Sequence, residues 1–209
     1  MEVKRIENLP GFFLCWIVVV YGCATVQHAS GFLEDYSVLH EGKYFKQEYV
    51  APGIDFSKYR KIKVNPVELG YFQENDKYRQ GELEDLAIRF KEEIETQLDK
   101  NYEILTANSR ADGETLVVSP ALISVGTPHR LVNVATTVFA GPSFTRGSAA
   151  FEARLSDGVT GKTVALIAEK RMGAIDAKSL TVGSFTKFTH AEGAFKDWAS
   201  SLARFLENG

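Results

Sequence analysis

The chain has 209 residues, 44% of them hydrophobic and 24% charged, with a formal net charge of −3. That length suits one domain with a real core, and the near-neutral balance offers no basic field for nucleic acid. Only two cysteines occur, Cys15 and Cys23.

Lys4 and Arg5 form a small basic start, diluted by Glu2 and Glu7. From Gly11 to Gly22 no charge appears over twelve residues. A membrane span needs ~20 apolar residues, so this run has the length of a signal h-region instead. Cys23 closes it, preceded by Val20-Tyr21-Gly22. A branched aliphatic at −3 and a small residue at −1 resemble the lipobox of bacterial lipoproteins. Cleavage is therefore expected between Gly22 and Cys23. The Cys23 sulfur would take a diacylglyceryl thioether and its new amino group a third chain. Two or more acyl chains hold a protein stably, at ~0.8 kcal/mol per buried methylene. Ala24 follows the cysteine where the enteric sorting rule would read Asp as an inner-membrane signal, so the outer membrane, facing the periplasm, is expected. The expected organisation is a signal over 1–22, a lipid-anchored linker over 23–29, and a single domain over 30–209. Without Cys15, and with Cys23 acylated, that domain has no thiol or disulfide, which excludes thiolate zinc sites.

In the mature chain, Phe32, Tyr36 and Leu39 fall at i, i+4, i+7, the spacing of one face of a short helical turn. Tyr44 to Tyr49 is aromatic and charged by turns and reads as an extended arm. Lys61 to Val64 alternates and predicts a first strand. Glu82 to Leu98 is the clearest helix, with Leu83, Ala87, Phe90, Ile94 and Leu98 in one stripe. Tyr102 to Thr106 follows as a strand. Thr115 to Val125 is a long apolar run, and Pro120 within it predicts an edge position or a bulge. Leu131 to Phe144 is apolar and reads either as a core strand or as an exposed contact. Ser148 to Ser156 alternates strictly, with Ala149, Phe151, Ala153 and Leu155 on one face. Asp157 to Lys162 is a hairpin loop. On the return strand Val164, Leu166, Ala168 and Met172 are expected inward, with Glu169 and Arg171 outward. The last helix runs from about Ala191 to Leu206, its apolar face carrying Phe195, Trp198 and Leu202. The predicted fold class is α+β: a mostly antiparallel sheet with two helices packed on one face, a two-layer sandwich.

Three stretches carry a resemblance: Ser30-Gly-Phe-Leu-x-Asp-Tyr-Ser-x-Leu39 followed by Tyr49-Val50-x-Pro52 and Tyr59-x-Lys-x-Lys-Val64; Gly147-x-Ala149-x-x-Glu152-Ala153 with Thr160-Gly161-Lys162; and Phe195-x-x-Trp198-Ala199-x-x-Leu202. Together they resemble a family of bacterial lipoproteins, the domain of unknown function (DUF) family 3313. The resemblance implies an exported, lipid-anchored protein and transfers no activity.

Catalytic and metal signals are absent. His28, His40, His129 and His190 show no metal-ligand spacing, so no metal or cofactor is expected. Ser143 does not sit in a G-x-S-x-G elbow, and Gly158 to Lys162 lacks the full phosphate-loop spacing. Glu152, Arg154, Glu169 and Arg171 are expected to share the outer face of the hairpin as a solvated charge ladder. The functional expectation is a non-enzymatic envelope component that contacts an envelope protein and no nucleic acid, with Phe32, Tyr36, Val134, Val138 and Phe139 as candidate contacts. The alternative is a ligand- or carbohydrate-binding module, supported by the many aromatics; an unrecognised hydrolase comes third. A pocket of ~300 Å³ or more with converging polar groups favours the ligand and enzyme classes, and an exposed apolar 131–144 favours the partner class.

Overall fold

The computed structural model describes residues 29–73, 78–125, 148–172 and 189–208. Six strands form one sheet: β1 (Gln47–Val50), β2 (Lys61–Val64), β3 (Glu103–Ile104), β4 (Thr115–Val125), β5 (Ser148–Asp157) and β6 (Thr163–Met172). Their spatial order is β1-β6-β5-β4-β2-β3. The pairs β1/β6, β6/β5 and β5/β4 are antiparallel, whereas β2 runs parallel to both β3 and β4. The sheet is therefore mixed. Parallel neighbours require a long crossover. Here the chain between β2 and β3 carries α1 (Gln80–Leu98); α2 (Thr189–Asn208) closes the described chain. The fold is α+β.

The helices follow the sequence stripes. In α1 the buried residues are Leu83, Leu86, Ala87, Phe90, Ile94 and Leu98. Its start is fixed by Glu82, whose carboxylate accepts the Arg79 N–H at 3.0 Å. On the solvent side Gln80 bonds Glu84 at 3.0 Å, one turn apart. In α2, Ala191, Phe195, Trp198, Leu202, Phe205 and Leu206 are buried. Both helices meet Phe151 of β5: the Phe90 ring lies 5.5 Å from it and Trp198 4.5 Å. They therefore cover the same face of the sheet, and successive residues of a strand alternate between faces. Glu152, next to Phe151, belongs to the other face. Within this core the Trp198 indole N–H is buried and has no hydrogen-bond partner among the described residues.

Four expectations are corrected. First, the inward face of β6 is out of phase with the reading from sequence. The β5/β6 register shifts between Leu155 and Ser156, leaving Val164 as an extra residue. Beyond that bulge Ala165 pairs with Leu155, Ile167 with Ala153, and Glu169 with Phe151. These three, not Leu166 and Ala168, share the helix-covered face, because one inserted residue flips every side chain after it. Second, β4 is central rather than an edge strand. Pro120 is tolerated there because its backbone nitrogen faces the side on which β2 has already ended at Val64. On that side the loop residue Glu68 donates its N–H to the Pro120 carbonyl at 2.9 Å. The bulge of β4 lies beyond the proline, between Leu122 and Ser124.

Third, the segment from Ser30 to Leu39 contains no helix; it is a run of turns, with Gly31 at φ +91°. Fourth, the expected arm, Tyr44 to Tyr49, runs into the sheet: its residues Gln47 to Tyr49 belong to the edge strand β1, paired with β6. The turn that leads into it is held by one carboxylate. Glu48 accepts backbone N–H groups from Lys43 at 3.0 Å, Tyr44 at 3.3 Å and Phe45 at 3.2 Å.

Candidate functional site

The face of the sheet opposite the helices is occupied by the arm, residues 29–41. Strand alternation places Ala150, Glu152 and Arg154 of β5 on this face, with Ala168 and Lys170 of β6 opposite Glu152 and Ala150. Glu152 is only 5% exposed because the arm covers it. Its Oε2 accepts two hydroxyl hydrogen bonds, from Ser30 Oγ at 2.7 Å and from Tyr36 Oη at 2.7 Å. Among the described residues no ion pair reaches Glu152. Arg154, two residues on, pairs with Glu34 of the arm at 3.0 Å instead.

The arm is shaped to deliver those hydroxyls. Tyr36 Oη accepts the N–H of Gly31 at 3.1 Å and of Leu33 at 3.2 Å, folding the turn around the phenol. Ser30 Oγ accepts the Phe32 N–H at 3.0 Å. Asp35 Oδ1 accepts from the Ser37 N–H at 2.8 Å and closes the far side of the turn. Leu33 is buried, and the Phe32 ring stands edge-on to Tyr71 at 5.5 Å. This arrangement gives a physical role to most of the decapeptide that begins at Ser30: two hydroxyls for one carboxylate, a glycine in the left-handed region, and an apolar plug.

Electrostatics follow from burial. Desolvation pushes the Glu152 carboxyl above its ordinary value, and the hydroxyls of Tyr36 and Ser30 pull it part of the way back. The Tyr36 phenol is pushed up, mainly by burial. The charge ladder expected on the outer face is not formed as such. Glu169 lies on the helix-covered face and accepts the Lys46 N–H at 2.7 Å, and Arg154 is engaged by the arm. At the opposite end of the sheet Asp157 organises the β5–β6 hairpin. Its Oδ1 accepts the N–H groups of Val159 and Thr160, and its Oδ2 the Tyr59 hydroxyl at 3.1 Å. The residues from Gly158 to Lys162 are thus a polar turn.

Beside the arm lies a cleft of about 480 Å³, lined by Leu39, His40, Gln47, Gln73, Ser124 and Glu152 among others. Its walls mix amide, hydroxyl and charged groups with a short apolar floor that includes Ile123 and Ala150. Such groups are able to hydrogen-bond a small polar molecule, and the size of the cleft falls within the range of ligand pockets. Among the described residues no group of three or more His, Cys, Asp or Glu is arranged to hold a metal ion. His40 is exposed at its bridge to Glu48.

Of the residues expected to matter, Phe32 and Tyr36 are in the arm and half-buried; Tyr36 is bonded to Glu152, and Phe32 stands against Tyr71. Gly22 and Cys23 lie outside the described residues, as do Val134, Val138 and Phe139. Ser30 and Glu152 were missed as partners. The sequence shows a serine, a tyrosine and a glutamate, but nothing in it pairs a residue before β1 with one on β5. No described helix is long and apolar enough to cross a membrane.

In solved structures the chain is similar to the PelC dodecamer from Paraburkholderia phytofirmans, at 14% identity, with 75% of this chain and 94% of that chain covered and a TM-score of 0.42. A point variant of that dodecamer gives 12% identity, 75% and 95% coverage and a TM-score of 0.44. A minor lipoprotein from Acinetobacter baumannii gives 11% identity, 72% and 94% coverage and a TM-score of 0.29. No curated protein sequence matches the chain. The family model described as a protein of unknown function, DUF3313, matches residues 28–202, and it takes in the arm, the sheet and most of α2. The chain belongs to the DUF3313 family.

Proposed function

We propose that the chain is an exported lipoprotein, held to a membrane by acyl chains on Cys23, which acts in the cell envelope by binding rather than by catalysis. The observation that carries the anchor is the uncharged run from Gly11 to Gly22 ending on Cys23, followed seven residues later by an arm stapled to the domain. Ala24 directs it to the outer membrane with its body in the periplasm. The body is read as a two-layer α+β sandwich. Replacing Cys23 by Ser tests the anchor. Unanchored protein or uncleaved precursor is expected, and a variant that still fractionates as mature, membrane-bound protein contradicts the reading.

The cleft supports a ligand-binding role for the tethered domain. At about 480 Å³, with amides, a hydroxyl and charged groups on its walls, it meets the criterion of size and converging polar groups. Gln47→Ala together with Gln73→Ala is expected to weaken binding of envelope glycan fragments measured by calorimetry; no heat from the wild-type protein with any fragment would count against this role. The Phe32–Tyr71 pair favours a second reading. Tyr71 is 40% exposed, and Phe32 stands against it on the surface. An aromatic pair so placed supports contact with an envelope protein, together with Val134, Val138 and Phe139. Crosslinking of the lipidated protein in envelopes, with and without Phe32→Ala, tests that contact.

A further inference from the structure

We infer that the Ser30–Tyr36–Glu152 clasp shortens the tether so that the cleft-bearing face of the sheet is turned toward the bilayer. The inference rests on the anchor at Cys23. It comes from comparing three lengths.

The first length is the leash with the clasp made. Ser30 lies seven positions beyond Cys23. A fully extended chain of that length spans at most about 25 Å, and a flexible one averages about 15 Å. The second is the domain. A compact unit of this size has a radius of gyration of about 16 Å and is about 40 Å across. The third is the leash with the whole arm released, the Glu34–Arg154 pair and the Leu33 plug included. The next point fixed to the sheet is then His40, bridged to Glu48. It lies seventeen positions beyond Cys23, a reach of about 60 Å.

With the clasp made, the leash is shorter than the domain is wide. It leaves from the face that carries Glu152, and the helices lie behind the sheet. The domain then cannot roll over to set α1 and α2 against the lipid. With the arm released, the leash exceeds the domain diameter and the restriction is lost. The clasp is built to hold: the two hydroxyl bonds to Glu152 at 2.7 Å, the Glu34–Arg154 pair at 3.0 Å and the buried Leu33 fasten one short segment to one strand face. The cleft borders this arm, with Glu152 in its wall, so it shares the orientation. The surface met is that of the lipid headgroups, and the helix layer is left for the aqueous side.

The test uses the mature, lipidated protein in liposomes that carry acceptor-labelled headgroups. Acylation consumes the Cys23 thiol and Cys15 is removed with the signal, so one introduced cysteine takes one donor dye. Lys170→Cys marks the cleft face, and Ile88→Cys marks α1, where Ile88 is 55% exposed. Energy transfer to the lipid is expected to be greater from position 170 than from 88. That difference should be lost when Ser30→Ala, Leu33→Ala, Glu34→Ala and Tyr36→Phe together release the arm. It should also be lost when about ten Gly/Ser residues are inserted between Cys23 and Ser30, which lengthens the leash without touching the folded domain. Equal transfer from the two positions in the wild-type protein overturns the orientation, as does a difference that survives the insertion. Wild-type protein that fails to float with the liposomes overturns the anchor itself, which separates the two failures.

Discussion

Tyr36→Phe removes one oxygen atom and with it four contacts: to Ser30 Oγ at 3.0 Å, to the N–H groups of Gly31 and Leu33, and to Glu152 Oε2 at 2.7 Å. They are not equal. Gly31 is exposed, so its freed N–H finds water at little cost, whereas the N–H of buried Leu33 loses its partner and adds to the loss. The bond to Glu152 is charge-assisted and mostly shielded, and such bonds contribute about 1.5–3 kcal/mol. We expect a loss of about 2 kcal/mol, close to a thirty-fold change in the folding equilibrium. Denaturant unfolding measures it, with the fluorescence of Trp198 as the probe; Trp16, the other tryptophan, lies in the stretch proposed as the signal.

A Glu152→Gln background supplies the control. Gln keeps an acceptor oxygen but no charge, so Tyr36→Phe should cost only about 1 kcal/mol there. The raised Glu152 carboxyl adds a pH signature. In the window just above the ordinary carboxylate value, the native state keeps a proton that the unfolded chain has released. The contribution of Glu152 to stability is therefore greatest on the acid side of that window and falls as pH rises through it. In Glu152→Gln this component should vanish. A Tyr36→Phe cost below about 0.5 kcal/mol, or an equal cost in both backgrounds, would refute the clasp as described.

Three further outcomes are expected. A Cβ at Gly42 would stand 2.1 Å from the Glu48 carboxyl carbon, which is pinned by three backbone N–H groups, so Gly42→Ala should cost about 1–3 kcal/mol by thermal or denaturant melts. The buried Trp198 N–H has no partner among the described residues, so in Trp198→Phe the relief of that group offsets part of the lost packing. That variant should lie within about 1 kcal/mol of wild type, against about 3–5 kcal/mol for Trp198→Ala, and similar costs for both would contradict this. Asp112, bonded by Lys61 and Thr115, and Asp157, bonded by the hairpin N–H groups, are both held at about 2. Lowered carboxyls stabilise above their ordinary value near 3.8 and lose that contribution as pH falls toward 2, so Asp157→Asn should flatten the acid limb of a stability–pH curve.

The sequence reading succeeded where one physical rule acted alone. The α1 stripe has a period of 3.6 and no competing tertiary demand, so its residues were legible. Strict alternation placed Phe151 and Glu152 on opposite faces of β5 correctly. The reading failed where one extra residue or one distant contact decides. Val164 is an ordinary strand residue, and nothing local marks it as the bulge that turns Glu169 inward. Pro120 signals an edge, but the edge is only the local end of β2. The spacing of Phe32, Tyr36 and Leu39 has a helical period, yet the Tyr36 hydroxyl gathers the arm's own N–H groups and turns the chain. Glu152 shows why the site was only half legible. Its face follows from alternation, but its burial depends on an arm more than a hundred residues earlier.

The anchor at Cys23 is tested by the mass of the intact mature protein extracted from membranes. A chain beginning at Cys23 and carrying the added mass of a diacylglyceryl group and a third acyl chain is expected, with that mass absent from Cys23→Ser. A full-length chain that retains residues 1–22, or a cleaved chain with a free Cys23 thiol, would contradict it.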